Sequence, residues 1–124
     1  MKLIYVAGKY TSYNQHNQPN KAGIASNIYV AEIAAVRLWK KGWAVLCPHK
    51  NTEHFERYED DYLHYSAWIN GDIEMLRRCD AIFMLENWQG SSGAKGEHAF
   101  AKKRKIPIFY EEEGYPEPSS LKTN

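Results

Sequence analysis

The sequence has 124 residues, the length of one domain, which leaves no room for a second independent one. Apolar residues make up 44% of the chain and charged residues 25%, as in ordinary globular proteins, so disorder is excluded for the chain as a whole. The formal net charge is only +1, which gives no overall positive field. A nucleic-acid polymer is therefore not an expected partner.

No segment of the sequence is typical of export or of a membrane span. The apolar stretch at residues 3–8 is shorter than the apolar region of a signal peptide, and Glu32 interrupts the apolar run at residues 30–36. Cys47 and Cys79 lie far apart and form no CxxC pair, which favours two reduced thiols over a disulfide. The sequence thus predicts a cytoplasmic protein with no membrane partner.

Short apolar runs alternate with amphipathic segments along the chain. The apolar runs end at glycine, proline or charged residues, which is typical of strands buried on both faces. In the intervening segments apolar residues recur at spacings of three and four, which predicts helices. The predicted strands are residues 2–7, 43–47, 81–85 and 106–110, and the helical pattern covers residues 24–38, 62–76 and 94–101.

This alternation predicts an α/β fold, a single Rossmann-like (flavodoxin-like) domain with a parallel sheet of four or five strands in the order 2-1-3-4. Ligands of such sheets bind beyond the carboxyl ends of the strands where the order reverses, here between the first and third strands. The loops that leave these ends are 8–19, 48–61 and 86–92. The predicted domain covers residues 1–110. Residues 111–124 form a C-terminal tail without periodicity, expected either to be mobile or to pack on a neighbouring subunit.

The loops argue against several common ligands of this architecture. The segment from Gly8 to Ser12 lacks the GxGxxG pattern of a dinucleotide site, and no Gly-Lys-Ser/Thr of a phosphate loop occurs in the chain. His49 and His54 do not have the spacing of paired metal ligands, and there is no HExxH motif. We therefore predict neither a cofactor nor a metal site.

Two carboxylates stand out on the predicted helices. Asp72 is in line with Ile69 and Leu76 on the inward stripe of the second helix, where an unpaired charge is costly. The structural alternative for Asp72 is an acid that caps a loop or pairs with an arginine. Glu97 follows the start of the third helix among small residues, near backbone amides, and its alternative is a favourable surface glutamate. Two acids in one pocket suit glycosyl chemistry, one as nucleophile and one as proton donor.

Four motifs lie within residues 2–110. They are Ile-Tyr-Val-Ala-Gly at 4–8, Asp-Ile-Glu-Met-Leu at 72–76, Cys-Asp-Ala-Ile at 79–82 and Trp-Gln-Gly-Ser-Ser-Gly-Ala-Lys-Gly-Glu-His-Ala at 88–99. Together they resemble the nucleoside 2-deoxyribosyltransferase superfamily, in particular its short bacterial and phage members. The most specific motif is Ser-x-Gly-x-x-x-Glu, which ends at Glu97. The resemblance implies that Glu97 attacks the anomeric carbon of a nucleoside, that Asp72 protonates the leaving base, and that Gly8, Tyr10 and Ser12 shape the sugar site.

Ser91 departs from the pattern of the transferases proper, which usually carry an aspartate six residues before the nucleophile. The related hydrolases of nucleoside 5′-monophosphates have a serine there and use it on the phosphate. The resemblance therefore leaves open a nucleotide in place of a nucleoside, and hydrolysis in place of transfer. Ser91, Ser92 and the amide of Gly93 at a helix start suit a phosphate chemically. If Ser91 is only the helix N-cap, the phosphate site is absent.

Three further residues complete the predicted binding site. His49 and Asn51 follow the second strand and offer a ring and an amide to a base edge or a phosphate, with a self-contained turn as the alternative. Trp88 is a candidate pocket wall.

The function predicted from the sequence is cleavage or exchange of the N-glycosidic bond of a nucleoside or nucleoside 5′-monophosphate through a glycosyl-enzyme on Glu97. The alternative is a non-catalytic module that binds a nucleotide or nucleotide-derived signal in the same pocket. The expected partners are such a small molecule and a second copy of the chain, because four Trp and nine Tyr are many for a domain of this size.

Overall fold

Four parallel strands form the central sheet: β1 (Leu3–Ala7), β2 (Ala44–Leu46), β3 (Ala81–Met84) and β4 (Ile108–Tyr110). Their order is β2-β1-β3-β4, and the register pairs Tyr5 of β1 with Ile82 of β3. The computed structural model describes residues 1–121. The predicted α/β fold class and the strand order 2-1-3-4 are confirmed, with four strands in the sheet.

In the described part of the chain four α-helices flank the sheet: α1 (Lys21–Lys40), α2 (Pro48–Asn51), α3 (Tyr65–Leu76) and α4 (Ser92–Arg104). Helix α1 begins after Asn20, whose side chain accepts a hydrogen bond from the backbone N–H of Gly23 at 3.3 Å and thereby caps the helix. Within residues 1–121 no helix combines the length and the hydropathy needed to span a membrane.

Two apolar clusters pack on opposite faces of the sheet. The apolar runs seen in the sequence supply the central strands, in which residues 4–7 and 81–84 are almost completely buried. Strands β2 and β4 lie at the edges of the sheet and are only half-buried. The first cluster joins the sheet to α1 through Ile4, Val6, Leu38, Trp43 and Phe83, and the second joins it to α3 and α4 through Tyr5, Leu76, Ile82, Ala94 and Ala101.

Helix α3 begins at Tyr65, three residues later than the apolar pattern predicts. The carboxylate of Asp60 accepts hydrogen bonds from the backbone N–H groups of Tyr62 and Leu63, at 2.8 and 2.9 Å. These bonds hold the chain in a turn and satisfy donors that a helix would otherwise use. The loop predicted at residues 48–61 contains α2 and a short 3-10 helix, Phe55–Tyr58.

The C-terminal segment packs against its own domain as far as residue 121. The indole N–H of Trp43 donates to the carbonyl of Pro116 at 2.8 Å, and the ring of Tyr115 lies 4.9 Å from that of Phe83. Leu121 also packs on the first apolar cluster. The sequence could not indicate this packing, because the segment forms two short 3-10 turns without helical or strand periodicity. The last three residues of the predicted tail, 122–124, lie outside the described residues.

Candidate active site

A cavity of about 920 Å³ opens beside the carboxyl end of β1. Its walls come from the loop after β1, from α2 and the segment before α3, from α3 itself, and from the start of α4. Of the residues predicted from the sequence, nine line it: Gly8, Tyr10, Ser12, His49, Asp72, Ser91, Ser92, Gly93 and Glu97.

Tyr5, in the middle of β1, holds the side chain of Glu97 in place. The Tyr5 side chain is fully buried, and its hydroxyl donates a hydrogen bond to Oε2 of Glu97. Burial, and then the neighbouring carboxylates of Glu97 and Asp72, raise the pKa of the Tyr5 phenol well above its usual range, so the phenol keeps its proton and acts as a donor. The bond fixes one oxygen of Glu97.

Burial also sets the protonation of the two acids. It raises the pKa of Glu97 to about 8, with a further rise from the charge of Asp72, although the Tyr5 hydrogen bond acts in the opposite direction. The pKa of Asp72 is raised to about 6, and burial is the cause. Among residues 1–121 Asp72 forms no ion pair with an arginine, which argues against the structural pair that the sequence left open. The charge of Asp72 thus acts on Glu97 within the cavity that both residues line.

The loop after β1 is fixed by close contacts with its neighbours. A Cβ at Gly8 would lie only 2.5 Å from Leu85 Cδ1, and a Cβ at Gly23 only 2.2 Å from the Ser12 hydroxyl, so both positions require glycine. The side-chain amide of Asn27 donates to the carbonyl of Tyr10 at 3.0 Å. These contacts hold Gly8, Tyr10 and Ser12 at the cavity wall.

His49 is a buried polar residue of the cavity wall, with 5% of its surface exposed. Its Nε2 lies 3.0 Å from the carbonyl oxygen of Lys9 and therefore carries the proton. Burial lowers the pKa of the imidazole, which favours the neutral ring. The ring lies 5.8 Å from that of Tyr10. His49 thus ties α2 to the loop after β1.

Ser91 is the N-cap of α4. Its hydroxyl oxygen accepts a hydrogen bond from the backbone N–H of Ala94 at 3.1 Å, which leaves the hydroxyl hydrogen to donate elsewhere. Ser91, Ser92 and Gly93 line the cavity together. The α4 N-terminus therefore faces the same space as the two acids.

The structure puts Asn51 and Trp88 outside this cavity. Asn51 is the exposed last residue of α2, two residues after His49 of the cavity wall. Trp88 lies in the turn after β3 and stacks on His98 at 4.3 Å, on the side of β4, where it lines a separate space of about 50 Å³. The stacking partner on α4 and the nearby Tyr110 hold the indole away from the acids.

Several lining or supporting residues carried no functional signal in the sequence. Tyr5 stands in a continuous apolar run and resembles a core residue, although a buried phenol needs a hydrogen-bond partner. The segment before α3 adds Glu56 and Glu59, and α3 adds Tyr65 and Trp68. Within residues 1–121 no group of three or more His, Cys, Asp or Glu side chains is arranged to hold a metal ion.

The fold and the cavity define an α/β protein with a partly buried pair of carboxylates at the switch point of its sheet. Residues 2–110 match the family described as a domain of unknown function, DUF4406, and the chain belongs to that family. No curated protein matches the sequence.

Two similar solved structures are deoxyribosyltransferases. One is the 2-deoxyribosyltransferase from the psychrotolerant bacterium Bacillus psychrosaccharolyticus, with 18% identity, a TM-score of 0.56, and coverage of 87% of this chain and 70% of that chain. The other is a 2-desoxiribosyltransferase from Leishmania mexicana, with 19% identity, a TM-score of 0.53, and coverage of 89% of this chain and 63% of that one. At these identities the likeness shows a shared fold.

Proposed function

We propose that this protein cleaves or exchanges the N-glycosidic bond of a nucleoside or nucleoside 5′-monophosphate. The observation that carries the proposal is the pair Glu97 and Asp72 in one cavity, with one oxygen of Glu97 held by the Tyr5 hydroxyl. Glycosyl transfer with two carboxyl groups needs one acid that is ionised and one that carries a proton. The resemblance in motifs and the fold shared with two deoxyribosyltransferases support this class of reaction.

The reacting form of the pair has Glu97 ionised and the proton on Asp72, although Glu97 has the higher pKa of the two in the free protein. In the proposed first step the free carboxylate oxygen of Glu97 attacks C1′ of the sugar. The C1′–N bond breaks, and its electron pair leaves with the base, which takes the proton of Asp72. The product is a glycosyl ester on Glu97. In the second step water or another base attacks C1′, the ester bond breaks, and Glu97 leaves as a carboxylate. Asp72 receives the proton that the attacking water or base gives up.

The start of α4 supports a phosphate at one end of the ligand. Ser91 carries no charge, and the helix N-terminus offers backbone amides and a partial positive charge. These features favour a 5′-monophosphate over the corresponding nucleoside.

The direct test is incubation of the protein with nucleosides and their 5′-monophosphates, followed by chromatography for free base. Release of base by the wild-type protein is the expected result. Binding without release from any of these compounds would instead identify a module that senses a nucleotide without turning it over.

A further inference from the structure

One wall of the cavity is aromatic and belongs to the segment before α3 and to α3 itself. We call Phe55, Tyr65 and Trp68 the aromatic wall. The rings of Phe55 and Trp68 lie 5.7 Å apart at 63°, an edge-to-face contact that fixes both. All three side chains line the cavity. Flat nucleobases bind to such aromatic surfaces through their π-faces.

Two exposed carboxylates stand beside the aromatic wall, Glu59 with one polar neighbour and Glu56 with two. Oε1 of Glu59 accepts from the indole N–H of Trp68 at 2.9 Å, and Oε2 of Glu56 accepts from the Tyr10 hydroxyl at 3.0 Å. Oε1 of Glu56 also lies 3.9 Å from Nδ1 of His54, and the second oxygen of each carboxylate retains lone pairs for a ligand. No lysine or arginine is among the residues of the 1–121 segment that line the cavity. This part of the cavity therefore presents acceptors and needs donors.

Tyr65 links this region to the reaction centre. Burial raises the pKa of its phenol, and the charges of Tyr13, then Glu59, Glu97 and Asp72, raise it further. Its hydroxyl therefore lies within electrostatic range of all three acids. A base that leaves C1′ near Glu97 can reach the aromatic wall and the carboxylates next to it.

We propose that Glu56 and Glu59 select substrates whose base carries an exocyclic amino group, as adenine and cytosine do, over the keto-substituted bases hypoxanthine and uracil. This inference rests on the proposed function. The amino group of adenine or cytosine is a hydrogen-bond donor, and a glutamate accepts from it. A keto oxygen in the same place would face an acceptor with another acceptor, which leaves both without a partner and adds repulsion.

Binding tests the inference without requiring turnover. The ligands are 2′-deoxyadenosine against 2′-deoxyinosine and 2′-deoxycytidine against 2′-deoxyuridine, and the same pairs as 5′-monophosphates. Calorimetry on the Glu97→Ala protein should give about tenfold or tighter binding of the amino member of each pair, the ratio expected for one well-made base contact.

Substitution of the selecting acids completes the test. Glu59→Gln and Glu56→Gln should bring the ratio of the two dissociation constants towards one, because an amide can also donate to a keto oxygen. Glu53→Gln is the matched control, since Glu53 is in the same segment and pairs with Lys50 at 3.0 Å outside the cavity wall. This control should keep the ratio of the parent protein.

The outcomes separate this inference from the proposed function. Equal binding within each pair, or a ratio that neither glutamine substitution changes, overturns the inference even if wild-type protein releases base. If the amino member of each pair binds more tightly but the wild-type protein releases no base, the proposed function is contradicted and the inference stands. If none of these compounds binds, both the inference and the proposed function are contradicted.

Discussion

The hydroxyl of Tyr5 donates a hydrogen bond to Oε2 of Glu97, and this bond joins the middle of β1 to the second turn of α4. It satisfies a phenol that has no access to water and it restricts the rotation of the carboxylate. It also favours the ionised form of Glu97 against the effect of burial. One bond therefore serves both the packing of the domain and the reactivity of the cavity.

Tyr5→Phe should lower kcat for base release and shift the alkaline limb of the pH–rate profile to higher pH. The reason is that the Tyr5 bond lowers the pKa of Glu97, and its loss raises that pKa. The loss of one hydrogen bond to a charged group should also lower the free energy of unfolding by about 1.5–3 kcal/mol. Tyr62→Phe is the control, because the Tyr62 side chain is 96% exposed. An unshifted limb in Tyr5→Phe would exclude Tyr5 as a positioning residue.

The rate of base release should have a bell-shaped pH dependence with limbs near 6 and 8, the pKa values of Asp72 and Glu97. Only the pair with one shared proton is competent, since Glu97 must attack and Asp72 must donate. Because Glu97 has the higher pKa, the form with the proton on Asp72 is the minor one of the singly protonated pair. Asp72→Asn should slow the release of poor leaving bases more than that of activated ones. Equal slowing of both kinds of substrate would assign Asp72 a structural role.

Ser91→Asp should erase or reverse a preference for 5′-monophosphates over nucleosides. Aspartate caps a helix as well as serine does, so the free energy of unfolding should change little while the added charge repels a phosphate. Calorimetric titration of the two proteins with each nucleoside and its 5′-monophosphate measures the preference. Equal affinity of the wild-type protein for both compounds would mean that Ser91 acts only as the N-cap.

The protein should form at least a homodimer. Large apolar side chains remain exposed on the outer face of α1, and a second copy is expected to cover them. Light scattering should give at least twice the chain mass of 14.4 kDa at micromolar concentration. Ile33→Glu, on this face, should lower the mass, whereas Tyr62→Glu should not. A wild-type mass near 14.4 kDa would refute the expectation. The exposed side chains are Tyr29, Val30, Ile33, Val36 and Trp39.

Most of the fold could be predicted from the sequence, because the alternation of buried strands and amphipathic helices leaves few arrangements of a parallel sheet. The start of α3 could not, since the Asp60 carboxylate competes with the helix for backbone donors. The packing of the C-terminal segment could not be predicted either. Isolated contacts of residues such as Tyr115 and Pro116 hold it in place, and it has no periodic apolar face.

Asp72 and Glu97 could be predicted as site residues, because each is an acid at a helix position where a carboxylate is unusual or functionally suited. Tyr5 could not be recognised, because a tyrosine within a buried strand has the same pattern whether its hydroxyl meets a carbonyl or a functional carboxylate. Trp68 contributes to the cavity through an edge-to-face contact with Phe55, which depends on a loop without periodicity. The direction of the Trp88 side chain depends on its stacking with His98, a contact between two elements that a sequence does not reveal.

Intact-protein mass spectrometry during turnover tests the central claim most directly. With a nucleoside or 5′-monophosphate from which base is released, the wild-type protein should carry a transient adduct of one glycosyl unit, and peptide mapping should locate it on Glu97. Glu97→Ala should bind the same compound, form no adduct and release no base, because the nucleophile contributes to the barrier more than to ground-state affinity. Undiminished base release by Glu97→Ala, or an adduct on another residue, would contradict the account.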